Sequence, residues 1–157
     1  MDSKKINVLV VPSDTSGVGH YRSVSPHTHL DRLYGEDFNV EIKYNVNWED
    51  HSSFDNYDII HIHKGLFNDM EVFRSTLNKC RENGAVVVMD LDDYWDLGPY
   101  HPASKDIKRF GIDKLIKDNI KMVDYLTTTT DIFKKEIEKL NPNVRVFVNA
   151  IDPEEEQ

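Results

Sequence analysis

The sequence predicts an α/β fold with a doubly wound, mainly parallel sheet of six strands and helices on both faces. Six short apolar segments recur along the chain, and four of them show little or no alternation with polar residues. Such segments are typical of strands buried on both faces of a parallel sheet. Helical patterns lie between most of them, but none is clear between the second and third segments. This favours the strand order 2-1-3-4-5-6 of a Rossmann-like domain.

The predicted strands follow directly from these apolar segments. They are Ile6–Val11, Val40–Tyr44, Asp58–His63, Ala85–Met89, Tyr125–Thr130 and Val144–Val148. Val40–Tyr44 alternates between apolar and polar residues, which is typical of an edge strand.

The clearest predicted helix follows the third strand. Its apolar residues fall at spacings of three and four, as expected for one buried helical face; they are Met70, Phe73, Leu77 and Cys80. Asn68 and Glu71 are placed as in a capping box at its start, and Gly84 is placed to end it.

Three further helices are predicted. The first lies within Ser23–Tyr34, with Pro26 tolerated only in its first turn. Two apolar stripes indicate the others, Ile112–Val123 and Phe133–Leu140, and the second ends before Pro142. Asn45–Tyr57 is too irregular for an assignment.

Composition limits the class of protein. A chain of 157 residues fits one domain, and we expect it to span 1–152, with 153–157 as an acidic tail or the start of a linker. The formal net charge of −9 argues against nucleic acid as a partner. No apolar run approaches the roughly 20 residues of a membrane span, and no secretory signal is recognisable, so we expect a cytoplasmic protein. Cys80 is the only cysteine and is predicted to be a buried thiol.

Gly17 and Gly19 follow the first strand and precede a predicted helix. Glycines at such a position let backbone N–H groups approach a phosphate. The segment GVGHYR matches neither the dinucleotide-binding fingerprint nor the P-loop. A tight turn that needs positive φ is the alternative.

His61 and His63 are two residues apart on one predicted strand, so their side chains share a face. They could chelate a metal, or a helix packed over that face could satisfy each imidazole with one hydrogen bond.

Asp90, Asp92 and Asp93 follow the fourth predicted strand. If this strand ends near Met89 or Asp90, the carboxylates lie at the mouth of a cleft rather than in the core. Neighbouring carboxylates would raise one another's pKa, so one could act as a general base. The alternative is a solvated acidic loop.

Two further features have a functional and a structural interpretation. Trp95, Tyr100 and His101 could form a shelf for a ligand ring, or the small core of their own loop. Thr130 or Asp131 is placed to cap the helix that follows.

In order along the chain, several segments resemble the N-terminal domain of GT-B-fold glycosyltransferases, retaining enzymes that transfer a sugar from a nucleotide donor. These segments are SGVGHYRSVSPHTHL, YDIIHIHKG, VVVMDLDDYW, VDYLTTTTDIFKKEI and VRVFVNAIDP. They span nearly the full chain, and the last two are the most specific. The DLDDYW form resembles a subgroup common in bacterial and phage genomes.

The resemblance implies a set of functional residues. It implies Asp90, Asp92 and Asp93 as catalytic side chains, and these substrate-binding residues: Gly17, Gly19, His20, Arg22, His63, Lys64 and Tyr94. Many relatives have His where Asp92 stands, and a carboxylate there would orient an acceptor hydroxyl. Asn149 and Asp152 would mark a domain boundary. No metal and no cofactor are implied, because the nucleotide-sugar is a co-substrate.

The resemblance implies the acceptor-side half of a sugar-transfer cleft. The family's second domain binds most of the donor, so this chain by itself is expected to be a weak catalyst or none, and a second polypeptide or domain would supply the donor site. One alternative is a non-catalytic module that binds a nucleotide, a carbohydrate or a protein. Another is a magnesium-dependent phosphohydrolase in which Asp90 attacks and Asp92 serves as acid and base.

Overall fold

The computed structural model describes residues 4–15, 17–64, 67 and 69–150. It contains one sheet of six parallel strands in the order β2-β1-β3-β4-β5-β6. The strands are β1 Ile6–Val11, β2 Phe38–Ile42, β3 Ile59–His63, β4 Val86–Leu91, β5 Tyr125–Thr128 and β6 Val144–Val146. The predicted fold class and strand order are therefore confirmed. No helix in the described ranges is long and apolar enough to cross a membrane.

The helical elements lie between these strands. A short turn, Gly17–Gly19, leads through a π-helical segment, His20–Val24, into the helix Ser25–Tyr34. Four more α-helices are Met70–Glu82, Ser104–Arg109, Ile112–Met122 and Asp131–Glu138, and His51–Phe54 forms a 3-10 helix. Pro26 lies in the first turn of its helix, as predicted.

Several boundaries differ from the prediction. β4 continues to Leu91, so Asp90 is part of the strand and not of the loop. Asp69, rather than Asn68, caps the helix Met70–Glu82, because its carboxylate accepts hydrogen bonds from the N–H groups of Glu71 and Val72. Asn68 itself lies outside the described residues, as do Asp152 and the predicted acidic tail.

The helix ends follow the capping rules. Gly84 has φ +83° just after the helix Met70–Glu82, a conformation that other residues adopt at a cost. Thr130 accepts a hydrogen bond from the N–H of Phe133 and caps the helix that follows β5, as predicted.

The two faces of the sheet are covered unequally. One face carries the main hydrophobic core, in which Leu9, Ile60, Val87 and Met89 and their neighbours pack against the three helices Met70–Glu82, Ile112–Met122 and Asp131–Glu138. Cys80 is buried in this core, as predicted. The alternate strand positions, such as His61, Val88 and Asp90, point to the opposite face. There the segment from Gly17 to Tyr34 contacts β1, β2 and β3.

Candidate functional site

The loops that follow β1, β3 and β4 meet at the carboxyl edge of the sheet. Ser13 Oγ lies 2.9 Å from His63 Nδ1, and the Lys64 N–H donates to the carbonyl of Asp90 at 3.0 Å. The turn that contains the glycines and the turn that is rich in aspartate are therefore on the same edge. This is the edge at which open α/β sheets bind their ligands.

Asp90 is buried and paired with Arg22. The side chains are 2% and 5% exposed, and the guanidinium binds both carboxylate oxygens, with Nε donating to Oδ2 at 2.9 Å. The Thr127 hydroxyl also donates to Oδ1 of Asp90. The expectation that this carboxylate lies outside the core is therefore wrong, since β4 places it beneath the segment that carries Arg22. Its charge is compensated by the guanidinium, as buried ions require.

Arg22 also fixes the chain after β6. Its Nη1 donates to the carbonyl of Phe147 and, at 3.2 Å, to Oδ1 of Asn149. The pair of Arg22 and Asp90 thus joins the first helical segment, the centre of the sheet and the segment after β6. This arrangement holds the elements in place, and it leaves neither carboxylate oxygen of Asp90 without a partner.

Asp92, Asp93, His63 and Lys64 form a second group of charged and polar side chains, which we call the rim cluster. Lys64 Nζ lies 3.0 Å from Oδ1 of Asp92 and 2.7 Å from Oδ2 of Asp93. His63 Nε2 is buried, makes no hydrogen bond within the described part of the chain, and lies 3.6 Å from the same Oδ1 of Asp92. The Asp92 side chain is 10% exposed, whereas that of Asp93 is 79% exposed.

The rim cluster does not raise the pKa of Asp92, contrary to the expectation for packed carboxylates. Burial would raise this pKa, but the adjacent His63 and Lys64 outweigh that effect and lower it below the ordinary value. Asp92 is therefore ionised at neutral pH. For Lys64, burial acts to lower the pKa, and the two carboxylates overcome this and raise it.

Lys64 has φ +50°, in the left-handed region that residues other than glycine seldom occupy. Strained backbone of this kind costs about 1–3 kcal/mol and is often found at functional sites. Here it positions the ammonium group between two carboxylates.

The glycine turn has a structural explanation. Gly17 has φ +51°, which supports the tight-turn interpretation. A Cβ atom at Gly19 would lie 2.7 Å from the carbonyl oxygen of Asp14 and 2.9 Å from its Oδ1. Gly19 is therefore required by the close approach of Asp14. His20 is partly exposed and its ring lies 5.3 Å from that of Tyr21.

The histidines of β3 have different surroundings. His61 Nδ1 is buried and has no hydrogen-bond partner among the described residues, and its ring centroid lies 4.4 Å from that of His27. One hydrogen bond was the structural expectation for each imidazole. His63 Nδ1 lies 2.9 Å from Ser13 Oγ, which fits that expectation, whereas His61 Nδ1 is left unpaired within the described ranges. No group of three or more His, Cys, Asp or Glu side chains in the described part of the chain is arranged to hold a metal ion.

The aromatic residues after β4 do not form a shared shelf. Trp95 is 4% exposed and packs against Phe133, with ring centroids 5.6 Å apart, whereas Tyr100 is 98% exposed. Tyr94 is 40% exposed and packs edge-on against Phe133. Of these three rings, that of Tyr94 is both packed and accessible to solvent, and Tyr94 directly follows Asp93 in the chain.

A groove, which we call the helix-side groove, opens between the helix Ser25–Tyr34 and the sheet, with a volume of about 690 Å³. Its lining includes Arg22, His27, His61 and Phe147. Arg22 and Asp90 were predicted as site residues, but the groove itself was not predicted. Its lining combines the segment 21–30 with single residues from β3, β4 and β5 and with the chain after β6, and no local motif links these parts.

Comparison with known proteins gives little functional information. No protein-family model and no curated protein match the chain. Among solved structures, the chain is similar to a crystal structure described as a "Putative pilus assembly-related protein" from Burkholderia pseudomallei. The two are 16% identical, with a TM-score of 0.40, and the similarity covers 88% of this chain and 93% of the other.

Proposed function

We propose that the chain forms the acceptor-side half of a glycosyltransferase cleft for sugar transfer from a nucleotide-sugar donor. The observation that carries this proposal is the rim cluster at the carboxyl edge of the parallel sheet. It places an ionised carboxylate and an ammonium group beside one another, and Tyr94, which directly follows Asp93 in the chain, adds a partly exposed aromatic ring. The ordered GT-B-like segments, described from the sequence, support the same assignment.

Two residues of the rim cluster, Asp92 and Lys64, and the adjacent Tyr94 have roles in this proposal. Asp92 accepts a hydrogen bond from an acceptor hydroxyl and orients it, since its lowered pKa keeps it ionised. Lys64 holds Asp92 in place through their 3.0 Å contact. Tyr94 offers the face of its ring to the acceptor, and Asp93 is the most exposed member of the cluster. Asp90 has a positioning role through Arg22.

The donor half comes from a second domain or polypeptide in this proposal. Transfer needs donor and acceptor held in one cleft from which water is excluded. The chain by itself is therefore expected to bind acceptor without appreciable turnover.

Acceptor binding provides the test. A panel of free sugars would be screened for binding to the purified chain by ligand-observed NMR. The substitution Asp92→Asn should weaken any binding roughly 10- to 150-fold, because a charged hydrogen bond contributes roughly 1.5–3 kcal/mol in protein sites. Asp113→Asn, on the helix Ile112–Met122, is the matched control and should leave binding unchanged.

Two results would contradict the proposal. One is the absence of binding by every sugar tested. The other is a full rate of sugar transfer by the chain when it is shown to be monomeric during the assay.

A binding module without catalysis is the second candidate. It is favoured by the pairing of Asp90 with Arg22 and Thr127, which leaves the most buried carboxylate unavailable as a base or nucleophile. The same pairing disfavours the phosphohydrolase, in which Asp90 would attack phosphorus. Magnesium-dependent hydrolysis of a phosphomonoester that is lost in Asp90→Asn would favour the phosphohydrolase again. Nucleotide or sugar binding without turnover, even when candidate donor halves are added, would favour the binding module.

A further inference from the structure

The helix-side groove has the size and lining of a small-molecule site. Its volume of about 690 Å³ lies within the usual range of roughly 300–1,000 Å³ for such sites. Apolar side chains make up most of the wall; they are Tyr21, Pro26, Leu30, Phe147 and Val148. Three of them are strongly exposed, at 45% for Tyr21, 60% for Phe147 and 71% for Val148.

The charged groups in the groove are already paired. Arg22 and Asp90 bind each other, and the remaining donors of Arg22 reach Phe147 and Asn149. A charged ligand would therefore find no unpaired opposite charge on these two residues. This favours an uncharged ligand.

His27 offers a hydrogen-bond acceptor to the groove. Its Nδ1 lies 2.7 Å from the carbonyl oxygen of Ser23, so Nδ1 must carry the proton. Burial lowers the pKa of His27, although the bond to Ser23 and the charge of Asp90 oppose this, so the ring is neutral at pH 7. The lone pair of a neutral ring in this tautomer is on Nε2.

His61 adds a polar group whose hydrogen bonding is incomplete. It lines the groove next to His27, it is 7% exposed, and its Nδ1 has no partner in the described part of the chain. Buried polar atoms are hydrogen-bonded in the large majority of cases, so this nitrogen remains available to a ligand or a water molecule.

We infer that the helix-side groove binds a flat, uncharged aromatic group that carries a hydroxyl or amino hydrogen-bond donor. The aromatic ring would pack between Tyr21 and Phe147, and the donor would reach the imidazole lone pair of His27. This inference stands whether or not the chain takes part in sugar transfer, since it concerns binding in a groove separate from the rim cluster.

A matched pair of ligands tests the inference. Naphthol and its methyl ether differ by one hydroxyl hydrogen, and their intrinsic fluorescence reports binding directly. Naphthol should bind the full chain about 5- to 10-fold more tightly than the ether, as expected for one neutral hydrogen bond. His27→Phe keeps a ring but removes the acceptor, so the two ligands should then bind with equal affinity. His101→Phe, outside the groove, should preserve the difference.

A second variant locates the binding and does not depend on His27. Leu30→Trp fills the groove and should abolish binding of both ligands, while circular dichroism confirms an unchanged fold. The inference is overturned if neither ligand binds, if both bind the unaltered chain equally, or if Leu30→Trp still binds naphthol with full affinity.

Discussion

Removal of the Arg22 guanidinium should destabilise the protein strongly. The substitution Arg22→Met preserves much of the side-chain volume but leaves the carboxylate of Asp90 buried, 2% exposed, with only the Thr127 hydroxyl as a donor in hydrogen-bond contact. Breaking a buried ion pair from one side costs about 3–5 kcal/mol. Because small domains have about 5–15 kcal/mol of unfolding free energy, this is a large fraction of the total.

Urea unfolding followed by circular dichroism measures this loss. The control is Lys114→Ala, which removes a surface pair of 2.6 Å between Lys114 and Asp118 in which Lys114 is 81% exposed. Solvent screens an exposed pair of this kind, so the control should unfold close to the unaltered protein.

A double variant separates the lost pairing from lost packing. Arg22→Met combined with Asp90→Leu replaces both charges with apolar groups, so it should lose less stability than the two single variants together. If Arg22→Met loses less than about 1 kcal/mol, like the surface control, the buried pair does not hold these elements together as described.

Three further predictions concern separate parts of the chain. Gly19→Ala should lose about 1–3 kcal/mol of unfolding free energy in urea, because its Cβ would meet the Asp14 backbone, whereas Gly98→Ala, with open space around it, should be nearly neutral. Burial lowers the pKa of His61 well below the ordinary value, so the unfolded chain binds more protons than the folded one below about pH 6.5. The unfolding free energy should therefore fall as pH decreases from 7 to 5, by up to about 1.4 kcal/mol per pH unit for this group. His61→Phe should reduce this dependence on pH, and an unchanged dependence would contradict the lowered pKa of His61. Burial raises the pKa of Cys80 to about 11, so a thiol reagent should modify it only at the rate of unfolding, and rapid labelling of the folded protein would argue against its burial.

The fold could be predicted because most of the strand segments show little or no alternation between apolar and polar residues. Residues such as Val87, Met89 and Leu126 face the main core, and Val86 and Val88 alternate with them on the other face. A parallel strand needs apolar residues at both sets of positions, so its pattern differs from that of an amphipathic helix. Strand ends were less certain, because β4 continues through a polar residue, Asp90.

The burial of Asp90 could not be predicted, since its partner Arg22 lies 68 residues earlier in the chain. Only the folded backbone brings the first helical segment over β4. The same reasoning applies to Trp95, which follows an acidic turn but packs against Phe133 in the core. The local sequence shows an aspartate in a strand and a tryptophan after an acidic turn. It does not show which distant residue each of them contacts, because that depends on the tertiary structure.

The rim cluster was partly predictable from topology. Parallel strands end at a common edge, so the strand order alone brings the loops after β1, β3 and β4 to that edge. The direction of the pKa change in Asp92 could not be predicted, because it depends on which charged and polar side chains lie next to this carboxylate in the folded chain. Lys64 reaches Asp92 through a left-handed backbone conformation that the sequence alone did not indicate.

The unequal covering of the sheet has a consequence for natural variation. Val87, Met89 and Leu126 are almost inaccessible, whereas Val86, Val88 and Tyr125 retain partial or substantial contact with solvent on the other face. A polar side chain at a position of the first group would lose the packing there and be buried away from water, which is destabilising. A polar side chain at a position of the second group could still contact water, so it would destabilise the fold less. Among homologous sequences, the second group of positions should therefore diverge more freely than the first.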